Sequence, residues 1–162
     1  MKKLNITFGT ILLVLGCFSL TAHAQTNLPV FEAEASANVT FFPCDPVTGI
    51  CPRTATGTGY ATGLGAITVT SETFRHGPPD PSCAPLTGTR TITTDSGSIF
   101  LSVTGTGCLN PGGVVSGTLQ WVVIGGTGAF ANASGSGTET AEIAGAPSGV
   151  PFREHYSGTL SY

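Results

Sequence analysis

Downstream of Gln25, apolar and polar residues alternate along the chain, and no stretch repeats its apolar residues with the period of an α-helix. Alternation of this kind, with Thr, Val, Ile and Gly abundant, is typical of β-strands that bury one face. The turn-forming segments Asp95–Gly97 and Leu109–Gly113 separate neighbouring strands, as in β-hairpins. The pattern predicts about eight strands, at residues 31–41, 53–61, 64–75, 87–95, 98–106, 114–124, 134–143 and 152–161.

The longest interruption of the alternation is the segment His76–Pro85, whose sequence HGPPDPSCAP contains four prolines. Proline donates no hydrogen bond to a ladder, so it is excluded from the middle of a sheet. We therefore expect a loop here, held in place by Cys83. No change of composition marks a domain boundary, and residues 25–162 are predicted to form a single β-barrel domain.

Residues 1–24 have the pattern of a secretory signal peptide. Lys2 and Lys3 precede an apolar run, Ile6–Leu20, and an A-x-A sequence ends at Ala24. Cleavage after Ala24 predicts export to the periplasm or outside the cell, and no later segment is apolar enough to cross a membrane. The alternative is a lipoprotein anchored at Cys17. The apolar run continues past this cysteine, which favours the ordinary signal peptide.

The chain after the predicted cleavage site is acidic. Four arginines and no lysine stand against nine acidic residues, a net charge of −5 with histidine neutral. Nucleic-acid binding depends on clustered positive charge, so we predict no nucleic-acid partner. The same acid excess disfavours binding to anionic membrane surfaces.

Four cysteines remain after cleavage, which in an exported chain predicts two disulfides. Cys44 and Cys51 flank the sequence DPVTGI, whose proline and glycine favour a tight reversal of the chain. This local geometry favours the pair Cys44–Cys51 and leaves Cys83–Cys108 as the second pair.

The segment VVIGGTGAF, Val122–Phe130, matches the strand and glycine-rich turn of a dinucleotide-binding fingerprint. The fingerprint also needs a helix after the turn, and the composition of ANASGSGTET disfavours one. The glycines are therefore expected to provide left-handed backbone and close approach at a connection between strands. A zinc site is disfavoured because the chain has no C-x-x-C sequence and, after cleavage, only His76 and His155 as nitrogen ligands. We predict neither a cofactor nor a metal.

The segment IGGTGAFANASGSGT, followed later by YSGTLSY, resembles the closing strands of bacterial proteins with an allene oxide cyclase barrel-like fold. That group is similar in shape to plant dirigent proteins, and the earlier segment GYATGLGAITVT fits the same group. The resemblance implies an all-β fold, a closed antiparallel β-barrel of about eight strands with an apolar lumen. It carries over no catalytic residue.

Strand parity predicts which side chains face the lumen, since the apolar face of a small soluble barrel points inward. Most inward positions are apolar: Phe31, Ala33, Ala35, Ala37, Val39, Phe41, Ile92, Ile99, Leu101, Val103, Val115, Leu119, Trp121, Val123, Ala141, Ile143, Phe152, Tyr156 and Leu160. The same parity places three charged residues, Arg90, Glu139 and Glu154, in this interior. Together with Trp121 and Tyr156 they are the predicted ligand-binding residues of the lumen.

The three charged positions have a functional and a structural interpretation. One arginine does not fully neutralise two buried carboxylates, so one glutamate would keep its proton at neutral pH and act as a general acid in an isomerisation or cyclisation. The structural alternative is an ion pair at the barrel mouth, or a β-bulge that turns one glutamate to solvent. Arg53 and His155 are expected on the surface.

Three functional classes remain open from the sequence. The favoured class is a non-catalytic barrel or one that binds a small hydrophobic molecule. The first alternative is an isomerase or cyclase acting on a hydrophobic substrate in the lumen. The second is an extracellular structural or matrix protein, which would need exposed edge strands to assemble. The sequence assigns no catalytic residue and no oligomeric state.

Overall fold

The computed structural model describes residues 29–77, 82–144 and 150–162, and the predicted signal peptide lies outside them. These residues form eight β-strands and one 3-10 turn at Gly128–Phe130, and they contain no α-helix. The described residues therefore include no helix long and apolar enough to cross a membrane. The strands are β1 Val30–Phe41, β2 Cys51–Ala61, β3 Gly65–Arg75, β4 Cys83–Thr94, β5 Gly97–Leu109, β6 Val114–Gly126, β7 Ser134–Ala144 and β8 Val150–Ser161. The prediction of an all-β chain of eight strands is confirmed.

Each strand pairs antiparallel with its neighbours in sequence, and β1 pairs with β8, so the sheet closes into a barrel. Across the closing seam Ala35 lies opposite Glu154, and on its other side Ala35 lies opposite Gly59. Closure gives every described strand a partner on both sides, which removes the exposed edges that template assembly. The predicted closed antiparallel barrel is confirmed.

The segment predicted as a proline-rich loop is shorter than expected. β4 begins at Cys83, and Pro85 lies within it, opposite Thr106 of β5. The prediction is wrong here because the carbonyl of Pro85 accepts a hydrogen bond from the N–H of His76, just past the end of β3. The backbone of Pro85 therefore faces away from β5, so the β4–β5 ladder does not need the N–H that proline lacks. The other three prolines lie outside the described residues.

The interior agrees with the predicted parity. The predicted inward residues are buried, except for Phe41, Val115 and Val123, which are half-buried. The larger apolar cluster includes Phe31, Trp121 and Phe130, and a smaller one includes Val39 and Phe152. The lumen is thus filled by side chains from all eight strands, as in other small barrels.

The GGTG sequence lies at one end of the barrel, where β6 leads into the 3-10 turn. β6 contains an irregularity, since Leu101 pairs with Val123 but the preceding residue of β5 pairs with Gly125. The 3-10 turn that follows brings Phe130 into the core, where a Cβ at Gly126 would overlap the carbonyl oxygen of Phe130. Gly128 has a φ of 60°. The glycines provide close approach and left-handed backbone, as the sequence predicted.

Several other glycines lie where the backbone of a neighbouring strand approaches closely. A Cβ added at each would overlap a carbonyl oxygen of the adjacent strand: Gly59 with Glu34, Gly88 with Glu72, Gly105 with Thr118, and Gly137 with Ser157. These four pairs join β2 to β1, β4 to β3, β5 to β6 and β7 to β8. We call these glycines the corner glycines. Two of them belong to the repeated G-T-G steps of the sequence, Gly59 at the end of one step and Gly105 at the start of another.

Both predicted disulfides are present, and they lie at the end of the barrel opposite the GGTG turn. Cys44–Cys51 closes the loop between β1 and β2, and Cys83–Cys108 joins residues that face each other across β4 and β5. In the first loop the Asp45 carboxylate accepts hydrogen bonds from two backbone N–H groups, at 2.9 and 2.7 Å. These bonds lower the pKa of Asp45 and fix the reversal that brings the two cysteines together.

Candidate functional site

Arg90 of β4 is the centre of a buried polar cluster that crosses the lumen. Its Nη2 donates a hydrogen bond to Glu139 Oε1 of β7 at 2.8 Å, and its Nη1 donates to Thr73 Oγ1 of β3 at 2.9 Å. Its Nε lies 3.4 Å from Glu154 Oε1 of β8. One guanidinium group therefore connects four strands, which suits its fixed arrangement of five donors.

Tyr156 completes this arrangement. Its hydroxyl donates a hydrogen bond to Glu154 Oε2 at 2.8 Å, and both residues lie on the inward face of β8. We call Arg90, Glu139, Glu154 and Tyr156 the buried charge cluster; their exposed fractions are 0–2 %. The structure thus brings together four of the five predicted lumen residues. The fifth, Trp121, is also buried but packs edge-to-face on Phe31 and forms no hydrogen bond with the described residues.

Arg53 was expected on the surface, and that prediction is wrong. β2 begins at Cys51, and Arg53 shares the inward face of that strand with Ala55, where it is half-buried. Burial and the charge of Arg90 lower the pKa of Arg53 to about 10, while Glu139 and Glu154 act in the opposite direction. The interior therefore contains two arginines and two glutamates. The expectation that a single arginine faces both carboxylates is corrected.

The protonation behaviour of the cluster follows from its burial. Burial raises the pKa of Glu154 to about 7, with a further upward contribution from Glu139, against downward contributions from Arg90 and Tyr156. Burial also raises the pKa of Tyr156. For Arg90, burial acts to lower the pKa, but Glu139 and the other acidic groups outweigh it and the pKa is raised. Arg90 thus stays charged, and Glu154 is the group that exchanges a proton near neutral pH.

Catalysis by the buried charge cluster would require a substrate to reach it. A general acid acts only when its proton is within hydrogen-bond reach of a substrate. Arg90 and Tyr156 direct hydrogen bonds at the carboxylates of Glu139 and Glu154. Three other atoms of the cluster, Arg90 Nε, Glu139 Oε2 and Glu154 Oε1, have no hydrogen-bond partner among the described residues, and all three are buried in the lumen. Among the described residues no group of three or more His, Cys, Asp or Glu side chains is arranged to hold a metal ion.

A concave space lies on the outer wall of the barrel. It has a volume of about 780 Å³ and is lined by residues of β1, β2, β6, β7 and β8. Its side chains are those that alternate with the inward residues on these strands, and they include His155, which is exposed as predicted. Sequence parity identifies them as outward, but it does not reveal that they adjoin, because this depends on the register of the strands.

Comparison of the chain with models of protein families, with curated proteins and with solved structures finds no match. The arrangement of side chains is therefore the basis for the functional conclusion.

Proposed function

We propose that this protein is a non-catalytic β-barrel whose lumen is a structural core. The observation that carries the proposal is the burial of the charge cluster, in which Arg90, Glu139, Glu154 and Tyr156 are 0–2 % exposed and contact one another. An ion cluster of this kind holds strands together from inside the barrel. It leaves the outer wall as the surface that is available for binding.

The closest competitor is an isomerase or cyclase acting on a hydrophobic substrate. It is favoured by one observation, since Glu154 has a pKa of about 7 and accepts a hydrogen bond from the Tyr156 hydroxyl. Structural ion pairs also perturb pKa values, so this feature does not distinguish the two functions. An enzyme would need the lumen to open to a substrate, and the same opening would admit a small hydrophobic ligand.

A structural or matrix role receives less support. Assembly through β-strands uses unpaired edges, and every described strand has a partner on each side. Export is part of the proposal and is supported by the two disulfides, which persist in oxidising compartments. We also propose a relation to the allene oxide cyclase barrel-like group on the basis of the resemblance in Ile124–Thr138.

The proposal is tested with Trp121, which is the only tryptophan of the chain and is fully buried in the lumen. The oxidised protein is titrated with brominated fatty acids, which quench tryptophan fluorescence on contact. We expect no saturable quenching of the folded protein. The same protein unfolded in guanidinium chloride provides the control, because its tryptophan is then exposed and accessible to the quencher.

Saturable quenching with one ligand per chain would overturn the packed lumen and support a hydrophobic-ligand barrel. Native mass spectrometry of the purified protein gives an independent reading. A small molecule that stays bound under native conditions and is released on unfolding, together with quenching, would identify the lumen as a binding site.

A further inference from the structure

The concave space on the outer wall is a trough that runs across five strands. Its first wall is a row of side chains that lie opposite one another in the registers of β2, β1, β8, β7 and β6: Tyr60, Glu34, His155, Thr140 and Thr118. All five are exposed. Four strand spacings of about 4.8 Å make such a row about 19 Å long.

The second wall lies two residues further along each strand, about 7 Å from the first. It consists of Thr58, Ser36, Arg153, Glu142 and Ser116, again paired in register. Between the walls, the floor is the outer side of the backbone at inward-facing residues such as Gly59 and Ala35. We call this whole feature the outer trough.

The walls of the outer trough offer both donors and acceptors of hydrogen bonds. Hydroxyl groups donate and accept, the carboxylates of Glu34 and Glu142 only accept, and Arg153 only donates. Glu142 and Arg153 face each other across β7 and β8, and His155 Nε2 lies 3.2 Å from Glu32 Oε2 beside the trough. The charges of the trough are thus largely balanced, with a small acid excess.

Tyr60 provides the one large apolar surface of these walls. Its side chain is 64 % exposed, and it stands at the end of the first row opposite Glu34. A tyrosine ring combines a flat apolar face with a polar hydroxyl group. Exposed aromatic rings beside convergent polar groups are typical of surfaces that bind ligands with both kinds of face.

We propose that the outer trough binds a neutral glycan chain. Sugar rings carry hydroxyl groups that both donate and accept, which match the mixed walls, and faces of C–H bonds that pack on an aromatic ring such as Tyr60. A polyanion is disfavoured because it would meet Glu34, Glu142 and the adjacent Glu32. The length of the trough suits a chain rather than a single sugar. The site is independent of what the lumen does, so its failure would leave the proposed non-catalytic core untouched.

The test is native affinity electrophoresis of the oxidised protein in gels that contain galactomannan, xyloglucan or dextran, with alginate as an anionic polymer. We expect at least one neutral polymer to retard the protein and alginate to leave it unretarded. Tyr60→Ala should weaken binding about tenfold, as the loss of an aromatic anchor does at other binding surfaces. The matched control is Ile124→Ala, since Ile124 is 60 % exposed on β6 outside the trough.

A second pair of variants tests the polar walls separately from the ring. Thr140→Val keeps a β-branched side chain but removes a hydroxyl group of the trough, and Thr104→Val makes the same change at an exposed position of β5 outside it. We expect weaker retardation only for Thr140→Val, with unchanged thermal unfolding for both variants. No retardation by any of the three neutral polymers would overturn the proposal. So would equal effects of the trough and control variants, or self-association of the protein that Tyr60→Ala abolishes.

Discussion

The inner and outer faces of the barrel wall carry similar charged residues, but these residues are buried on the inner face and exposed on the outer face. β8 directs Glu154 inward, where a hydroxyl and a guanidinium group surround it, and directs Arg153 and His155 outward into the trough. β7 likewise directs Glu139 inward and Glu142 outward. The inner groups are desolvated and bonded to one another, whereas the outer groups remain hydrated. A charged residue in an apolar strand is therefore evidence of a site only when a ligand can reach it.

The largest expected difference between the faces comes from removing an arginine. Arg90→Ala removes the guanidinium group that contacts the buried Glu139 and Glu154, so the free energy of unfolding should fall by about 3–5 kcal/mol near neutral pH. Arg153→Ala removes an exposed arginine opposite Glu142 and should cost below about 1 kcal/mol. Urea unfolding of both oxidised variants makes the measurement. Losses of equal size would contradict the assignment of Arg90 to the core.

The second difference concerns pH. Because the pKa of Glu154 is raised to about 7 in the folded protein, the folded state binds more protons than the unfolded state between about pH 4.5 and 7. The contribution of this group to stability is therefore greatest at acidic pH and is lost as the pH rises through 7, by up to about 3 kcal/mol. Urea unfolding measured from pH 5 to 8 gives the profile.

Two matched variants test whether Glu154, on the inner face, causes this dependence of stability on pH. Glu154→Gln, which does not titrate, should flatten the profile, and Glu142→Gln on the outer face should leave its slope unchanged. A slope that survives in Glu154→Gln would show that another group is responsible.

The smallest expected difference comes from single hydroxyl groups. Tyr156→Phe removes the donor to Glu154 inside the barrel and leaves a buried acceptor unsatisfied, which should cost about 1–3 kcal/mol. Tyr60→Phe makes the same change in the exposed ring and should alter stability by less than about 0.5 kcal/mol. Thermal unfolding of the two variants compares them. A similar cost for both would mean that the Tyr156 hydroxyl is hydrated.

Much of the fold could be predicted because alternation and turn chemistry are local signals. Parity placed Arg90, Glu139 and Glu154 inside, and the reversal at Cys44–Cys51 fixed both disulfides by elimination. The predictions failed where proline masked a strand. Pro85 made the first residues of β4 resemble a loop. Arg53 is the first residue of the predicted strand 53–61 and was expected on the surface, but it lies on the inward face of β2.

The rest of the candidate site depends on contacts between residues that are distant in sequence. Arg90 and Glu139 are 49 residues apart, and nothing local in the sequence indicates which carboxylate the arginine contacts. The outer trough is similar, because Tyr60 and Thr118 belong to one row only through the registers of four strand pairs. Strand parity gives the side of the wall on which a residue lies, but only the register gives its neighbours.

The corner glycines constrain which substitutions this barrel accepts. Because even a methyl group at Gly59, Gly88, Gly105 or Gly137 would overlap a carbonyl oxygen of the adjacent strand, a side chain at any of these positions would require two strands to move apart. Exposed positions such as Tyr60 and Thr140 carry no such restriction. Substitutions that preserve the barrel are therefore tolerated most readily on the outside of the wall.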